Sequence, residues 1–219
     1  MKKIISFSVW GSNPKYAEAA YANLQLQPEI YPGWKCRFYV DETVPLKVIN
    51  LLKDNSEIVL MPPSDGNYGM FWRFEPLKDN TIDRFIVRDS DSRLNLREAA
   101  AVKEWEESGK EFHTMRDNKW HNVVPICGAM WGATSHFIHR IDYDALLKRW
   151  MERNQHRIFS HPRGKYFFTD QLFLAESIWP LIINTHIAHE SVESTYMGDK
   201  RKFPVENPDG SFVGQPIEF

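Results

Sequence analysis

The chain has 219 residues, enough for one domain with a substantial buried core. Its 42% apolar and 26% charged content is ordinary for a soluble globular protein, and a net charge of −2 excludes one held to nucleic acid by overall charge. No stretch approaches the ~20 apolar residues of a membrane span, and two cysteines, Cys36 and Cys127, are too few for a disulfide framework and lack metal-site spacing. A reducing, cytoplasmic setting is expected, the host cytoplasm if the protein is viral.

The opening MKKIISFSVWGSNP has a short apolar run broken by Ser6 and Ser8, with no small-residue cleavage site. It reads as a first strand, Ile4–Val9, and not as a signal peptide. Asn13-Pro14 supplies an N-cap and a proline at the first helical position, opening a helix to about Leu26. A second strand, Lys35–Val40, ends at Asp41. A helix over Val44–Lys53 and a third strand over Glu57–Met61 follow. Tyr68–Leu77 reads as a short aromatic helix stopped near Pro76, and Arg84–Val87 as a fourth strand. Asn95 and Glu98 have capping-box spacing for a helix ending at Ser108-Gly109. Beyond it, short strands are expected at Phe112–Met115 and Gly128–Trp131, and helices at Asp142–Asn154 and Thr169–Ser177. The segment after about Tyr196 is rich in Pro, Gly and charge and reads as an extended surface run. Strands separated by helices predict an α/β fold with a mostly parallel sheet flanked by helices.

The fourth strand runs into "VRDSDSRL", residues 87–94. Ligands of open α/β sheets bind outside the carboxyl ends of the strands, where Asp89 and Asp91 lie. If the strand continues, residues i and i+2 face one side, so both carboxylates enter the crevice and repel. A hard cation, Mn²⁺ or Mg²⁺, relieves that repulsion and completes its shell with water and substrate phosphates. A nucleoside diphosphate is the natural third party. The plain alternative is a solvated turn neutralised by Arg88 and Arg93. An aspartyl-nucleophile phosphatase is set aside: it wants Thr or Val where Arg93 stands, and its motif follows the first strand.

With the strand-end DxD, the segments "WRFEPL", "VRDSDSRL", "HTMRDN", "GAMWGA" and "TDQLFL" resemble GT-A fold glycosyltransferases, among them glycosyltransferase-like proteins of viruses, bacteria and invertebrates. The resemblance covers about residues 1–190. It implies a single GT-A domain over 1–195, with a nucleotide-binding half (1–95) and an acceptor and catalytic half (96–195), followed by a tail over 196–219. It implies an enzyme that moves a sugar from a nucleotide-sugar donor, UDP favoured, to a glycan or protein-linked acceptor, using Mn²⁺ or Mg²⁺.

Carried over by position, the resemblance places Ser8, Val9 and Trp10 along the nucleoside and Asp41 on the base. It sets Arg73 on the donor sugar or diphosphate. Asp89 contacts the ribose or the metal, and Asp91 ligates the metal. Gly128 and Ala129 give the donor close approach to the backbone. Asp170 lies beside the reacting carbon, and His186 or His189 supplies a third metal ligand. Trp120 and Trp131 are candidate acceptor platforms, since sugars stack on aromatic faces. Each residue has a plainer role open to it. Asp41 and Asp170 suit helix starts, the glycines relieve packing, and histidines in apolar segments are commonly core residues.

Glycosyl transfer develops oxocarbenium character and a departing diphosphate. An inverting enzyme also needs a carboxylate base near the acceptor hydroxyl. Asp170 is the first candidate and Asp117 the second, with inversion favoured over retention. Two other readings stand: a non-catalytic nucleotide-sugar-binding protein, and a transferase acting on a modified DNA base through "HTMRDNKWH", residues 113–121.

Overall fold

The computed structural model describes residues 2–159, 161–207 and 209–217. Met1, Ser160, Pro208, Glu218 and Phe219, which the expected domain and tail boundaries include, lie outside the described residues. The first half alternates as its sequence requires: β1 (Lys2–Val9), α1 (Pro14–Ile30), β2 (Lys35–Val40), α2 (Leu46–Lys53), β3 (Glu57–Leu60), a 3-10 segment (Tyr68–Lys78) and β4 (Ile82–Val87). Asn13 caps α1, its side chain accepting the Lys15 N–H at 3.0 Å. The helix runs past Leu26 and carries Pro28 in its last turn. Gln27 Nε2 closes that end by donating to the Tyr31 and Trp34 carbonyls. α2 starts at Leu46 and not Val44, because Pro45 bars the residue before it from helical geometry.

The aromatic segment Tyr68–Lys78 is 3-10 helical and not α-helical, and its backbone bonding shows why. Ser8 Oγ accepts the Arg73 N–H at 2.8 Å, and Ser6 Oγ donates to the Arg73 carbonyl at 2.7 Å. Those two groups are engaged with β1 and are lost to an α-helical ladder.

The second half contains α3 (Leu96–Ser108), β5 (Phe112–Arg116), β6 (Trp131–Thr134), α4 (Ser135–Arg140), α5 (Tyr143–Arg153), α6 (Gln155–Phe159), α7 (Thr169–Phe173), a π-helical turn (Leu174–Ile178), α8 (Trp179–Ile182), β7 (His186–Glu190) and β8 (Asp199–Arg201). Asn95 caps α3 by accepting the Glu98 N–H at 3.0 Å, and Gly109 ends it in left-handed geometry. The reciprocal half of the capping box is absent, because the Glu98 carboxylate turns inward to Arg88 Nε at 3.2 Å. The strand expected at Gly128–Trp131 begins only at Trp131, since the preceding residues turn, with Met130 N–H bonding the Cys127 carbonyl. Gly132 makes the strand's position possible: a Cβ there would sit 2.7 Å from the Phe85 carbonyl oxygen of β4.

The eight strands among the described residues form one sheet in the order β3-β2-β1-β4-β6-β5-β7-β8. Neighbours are parallel except β6, which runs antiparallel to both β4 and β5. β7 and β8 had no counterpart among the expected elements. β8 comes from the segment expected as an extended run, which also buries Phe203 and Val213. Side chains alternate across the sheet. Ile4, Phe85 and Trp131 pack with Phe71, Phe137 and Phe173 on one face. Ile5, Phe7, Phe38 and Ile86 pack under Leu24, Ile49 and Trp105 on the other. Among the described residues no helix is long and apolar enough to cross a membrane.

Two expectations fail here. Trp131 is not an acceptor platform: it is wholly buried, stacked on Phe112 at 5.1 Å with its neighbours Phe74 and Phe85 edge-on. Nor do His186 and His189 reach the Asp89–Asp91 loop. His189 Nδ1 lies 2.8 Å from His113 Nε2, and its Nε2 lies 3.2 Å from Glu104. His186 bonds the Ile182 carbonyl and packs its ring against Gly198, where φ is +130°. Three residues apart, the two rings leave opposite faces of β7, and every residue of that strand is buried.

Trp131→Ala should therefore cost about 3–5 kcal/mol of stability in denaturant unfolding. Trp120→Ala, at a position 70% exposed, should stay within about 0.5 kcal/mol.

Burial also holds His113 and His189 below the ordinary histidine range. Unfolding frees them to take protons, so their contribution is complete above pH ~6.5 and is lost as pH falls. Melting temperature against pH should fall less steeply below pH ~6.5 in His113→Gln than in the parent. The readout is that difference in slope, because Glu98, raised by burial, acts in the opposite sense at lower pH.

Candidate active site

A cleft of about 550 Å³ opens at the carboxyl ends of β1 and β4, within the range of small-ligand sites. β1 and the loop after it contribute Ser8, Val9, Trp10, Gly11 and Asn13. The 3-10 segment contributes Met70 and Arg73, and the loop after β4 contributes Asp89, Ser90 and Asp91. Phe167 closes the cleft from the second half of the chain. Of the expected donor residues, Ser8, Val9, Trp10, Arg73 and Asp89 thus line one cavity, with Asp91 beside them.

The two aspartates reach the cleft by a turn, since β4 stops at Val87. That turn is fastened from behind. Asn23 of α1, fully buried, donates to the Ser90 and Ser92 carbonyls at 3.1 and 2.8 Å and accepts the Leu94 N–H at 3.1 Å. The Ile217 N–H donates to the Asp91 carbonyl at 2.8 Å, so the C-terminal run also grips the loop. Just before the pair, Arg88 is buried against Glu98 and the Tyr31 hydroxyl.

The plain alternative, in which Arg88 and Arg93 pair with the aspartates, is not what the structure shows: Arg88 is engaged with Glu98, and Arg93 donates to the Ser92 carbonyl at 3.2 Å. Arg73 pairs with Asp89, and Lys15 Nζ lies 3.1 Å from Asp91 Oδ2. Arg73 also holds Asp170: its Nη2 lies 2.7 Å from Asp170 Oδ2. Asp170 is 1% exposed and its Oδ1 has no hydrogen-bond partner among the described residues, while the Asp89 side chain is 47% exposed toward solvent. Burial pushes the Asp170 carboxyl above the usual carboxylate range against the pull of Arg73. Burial and the Asp89 charge raise Asp91 in the same way, with Lys15 opposing.

Gly128 is required by this cluster. A Cβ there would fall 2.7 Å from Asp170 Oδ2 and 2.8 Å from Arg73 Nη2, and Gln171 lies directly beyond. Ala129 is buried next to it. Asp170 is delivered by a constrained loop. Tyr166 and Phe168 both have positive φ, 64° and 65°, which costs bulky side chains on the order of 1–3 kcal/mol each. Lys165 secures the loop across the cleft, its carbonyl accepting the Asn67 N–H at 3.0 Å.

Other expected residues are engaged elsewhere. Both Asp117 oxygens are taken by Arg97, at 2.9 and 2.7 Å, and by the Val213 N–H, which hold the carboxyl below its usual range. A carboxylate so paired is a poor base. Asp41 is buried and accepts from Thr43 and from the Ser64 N–H, so it shapes the loop beside the cleft and does not line it. Arg116 is wholly buried against Glu190, which removes the main cation from the 113–121 stretch considered for DNA. Trp120 is exposed beside Lys119.

Sequence reading missed Lys15, Tyr16, Asn67 and Phe167. Lys15 and Tyr16 are neighbours in α1, but Asn67 and Phe167 come from distant loops, and only the N-terminal turn of α1 carried any signal. No group of three or more metal-capable side chains occurs among the described residues. The Asp89–Asp91 pair still suits a hard divalent cation that takes its remaining ligands from phosphate and water. Three carboxylates (Asp89, Asp91, Asp170) against the two cations paired with them (Arg73, Lys15) leave one formal negative charge in the ion-paired cluster, with the Arg93 charge acting on Asp91 at longer range.

No protein-family model matches the chain, and no curated protein matches its sequence. Solved structures do match. A glycosyltransferase involved in glycosylating the major capsid of PBCV-1 is 14% identical, with a TM-score of 0.51 over 87% of this chain and 82% of that one. An active-site mutant of LgtC is 12% identical, with a TM-score of 0.52 over 86% and 73%. The glycosyltransferase GlyE of Streptococcus pneumoniae is 11% identical, with a TM-score of 0.51 over 85% of this chain and 44% of its own. At such identities the likeness is one of fold, and the fold of this chain is the GT-A fold of these glycosyltransferases.

Proposed function

We propose that the protein is a metal-dependent glycosyltransferase that moves a sugar from a nucleoside-diphosphate donor, UDP favoured, to a hydroxyl of a glycan or protein-linked acceptor. The observation that carries the reading is the buried Arg73 guanidinium bridging Asp89 at the cleft and Asp170 beneath it. A planar fork so placed suits a diphosphate leaving group. The aromatic and amide side chains of Trp10, Tyr16, Asn13 and Asn67 line the rest of the cavity and suit a nucleoside. Two free buried thiols suit a reducing compartment.

In this reading Asp89 and Asp91 hold the divalent cation, which supplies charge stabilisation for the departing diphosphate. Arg73 shares that task from the protein side. Phe167 lines the cavity from the loop before α7. The Oδ1 of Asp170, without a hydrogen-bond partner among the described residues, takes the acceptor proton in an inverting transfer, helped by the raised basicity that burial gives it. The ion pair with Arg73 favours a second role for Asp170, holding the guanidinium against the diphosphate.

Asp91→Asn should weaken Mn²⁺-dependent binding of a UDP-sugar by more than the roughly 10-fold typical of losing an outer-shell partner. It should leave metal-free binding unchanged, as read by calorimetry. Without metal, Asp91→Asn should also raise the melting temperature at pH 7. A carboxyl raised by folding disfavours the folded state when ionised, and the gain should vanish as pH falls below ~4. Equal Mn²⁺-dependent affinity in variant and parent rejects the metal role.

Asp170→Asn separates its two roles. A base is needed only during attack, so its loss should lower kcat by roughly 10²–10⁴-fold with donor affinity intact. If Asp170 mainly orients Arg73, donor affinity falls alongside kcat. Near-normal transfer would exclude both roles.

A further inference from the structure

The cation on Asp91 has no part in the reading above, and it differs from its neighbour. Arg73 is locked: its side chain is 8% exposed and bonds two carboxylates. Lys15 is one-third exposed, and Asp91 is its one carboxylate partner among the described residues. Its flexible stem leaves from the first turn of α1, between Asn13 and Tyr16, both of which line the cleft. The ammonium lies over the Tyr16 ring, 5.7 Å from its centroid. It therefore sits at the place a divalent cation would take on Asp91, on a side chain free to leave.

We propose that Lys15 is a resident counter-ion of Asp91: it fills the cation position in the empty cleft, is displaced when a divalent cation arrives, and then pairs with the donor diphosphate. The proposal rests on the metal-dependent reading of the site. The physical case is charge order. With Lys15 in place, the loop keeps two nearby carboxylates without a bound metal. A dication and an ammonium cannot share Asp91 Oδ2 without strong repulsion, so one must go. Arg73 is held by its buried pair with Asp170 and by Ser6 and Ser8 on its backbone, leaving Lys15 as the group that moves. Its new position stays on the cleft rim, beside the N-terminal end of a 17-residue helix that favours anions. Metal loading and diphosphate binding are thereby coupled through one side chain. The metal frees the ammonium, and the ammonium then favours the anion that completes the metal's shell.

Lys15→Met keeps the apolar stem and removes the charge. Its two binding steps should move in opposite directions. Mn²⁺ alone, titrated into the donor-free protein by calorimetry, should bind about two- to five-fold tighter, the size expected for losing a partly exposed competing ion pair. UDP, titrated at saturating Mn²⁺, should bind more weakly than to the parent by a similar or larger factor. Lys15→Arg keeps the charge and should leave the Mn²⁺ step near the parent's. An unchanged or weaker Mn²⁺ affinity in Lys15→Met overturns the counter-ion role. Unchanged UDP affinity at saturating Mn²⁺ overturns the transfer to the diphosphate. Absence of Mn²⁺ binding in both parent and Lys15→Met rejects the metal-dependent reading itself, and the counter-ion role with it. Binding by Lys15→Met alone would support the role in its strongest form. Melting temperatures of the variants, measured alongside, separate these outcomes from misfolding.

Discussion

One guanidinium organises the candidate site. Arg73 is buried, yet it carries a charge that burial disfavours, and it survives there only because Asp89 and Asp170 hold it from two sides. Much of the local structure follows from that need. Ser6 and Ser8 of β1 take its backbone groups and keep the segment 3-10 helical. Residue 128 must be glycine so that the pair with Asp170 can form. The loop before α7 accepts two left-handed aromatic residues and so brings Asp170 to the pair. Removing one partner would leave a buried charge uncompensated, so these features stand or fall together.

The aspartate loop shows the same economy in a different form. Its two carboxylates repel, and burial raises one of them. The loop is held not by what those carboxylates bind but by its own backbone, through Asn23 and the Ile217 N–H. The charged groups are thus free to exchange partners while the main chain stays in place. That separation is what the proposed exchange of a cation and an anion at this loop would require. It also explains why the C-terminal run matters: it contributes a strand, buries Val213 beside Met130, and bonds both Asp117 and the aspartate loop.

Several elements were legible from local signals alone. Asn13-Pro14 and Asn95 start helices where the caps require, and Gly109 ends one. β2 has the bounds its apolar run predicts. The strand-end position of "DSD" pointed to a cleft, and the two aspartates do line one. Errors came where the partner was distant. Asp117 looked like a free carboxylate until Arg97 and Val213 met it. Trp131 looked like a sugar platform until Phe112, Phe74 and Phe85 enclosed it.

The sequence by itself determined the alternation of strand and helix, the caps, and the aspartate pair at a strand end, because each depends on residues within about four positions of one another or on the period of apolar residues. Only the tertiary structure decided which cations meet those aspartates. Arg88 flanks the pair in the chain but is buried against Glu98, and Arg93 bonds the Ser92 carbonyl, whereas the ion-pair partners Lys15 and Arg73 come from a helix start and a 3-10 segment upstream. It also decided that β7 carries His186 and His189 into the core, because strand alternation and sheet order fix where a side chain points. Charge pairing acts through space, and the order of residues along a chain does not encode which ends of which strands will meet.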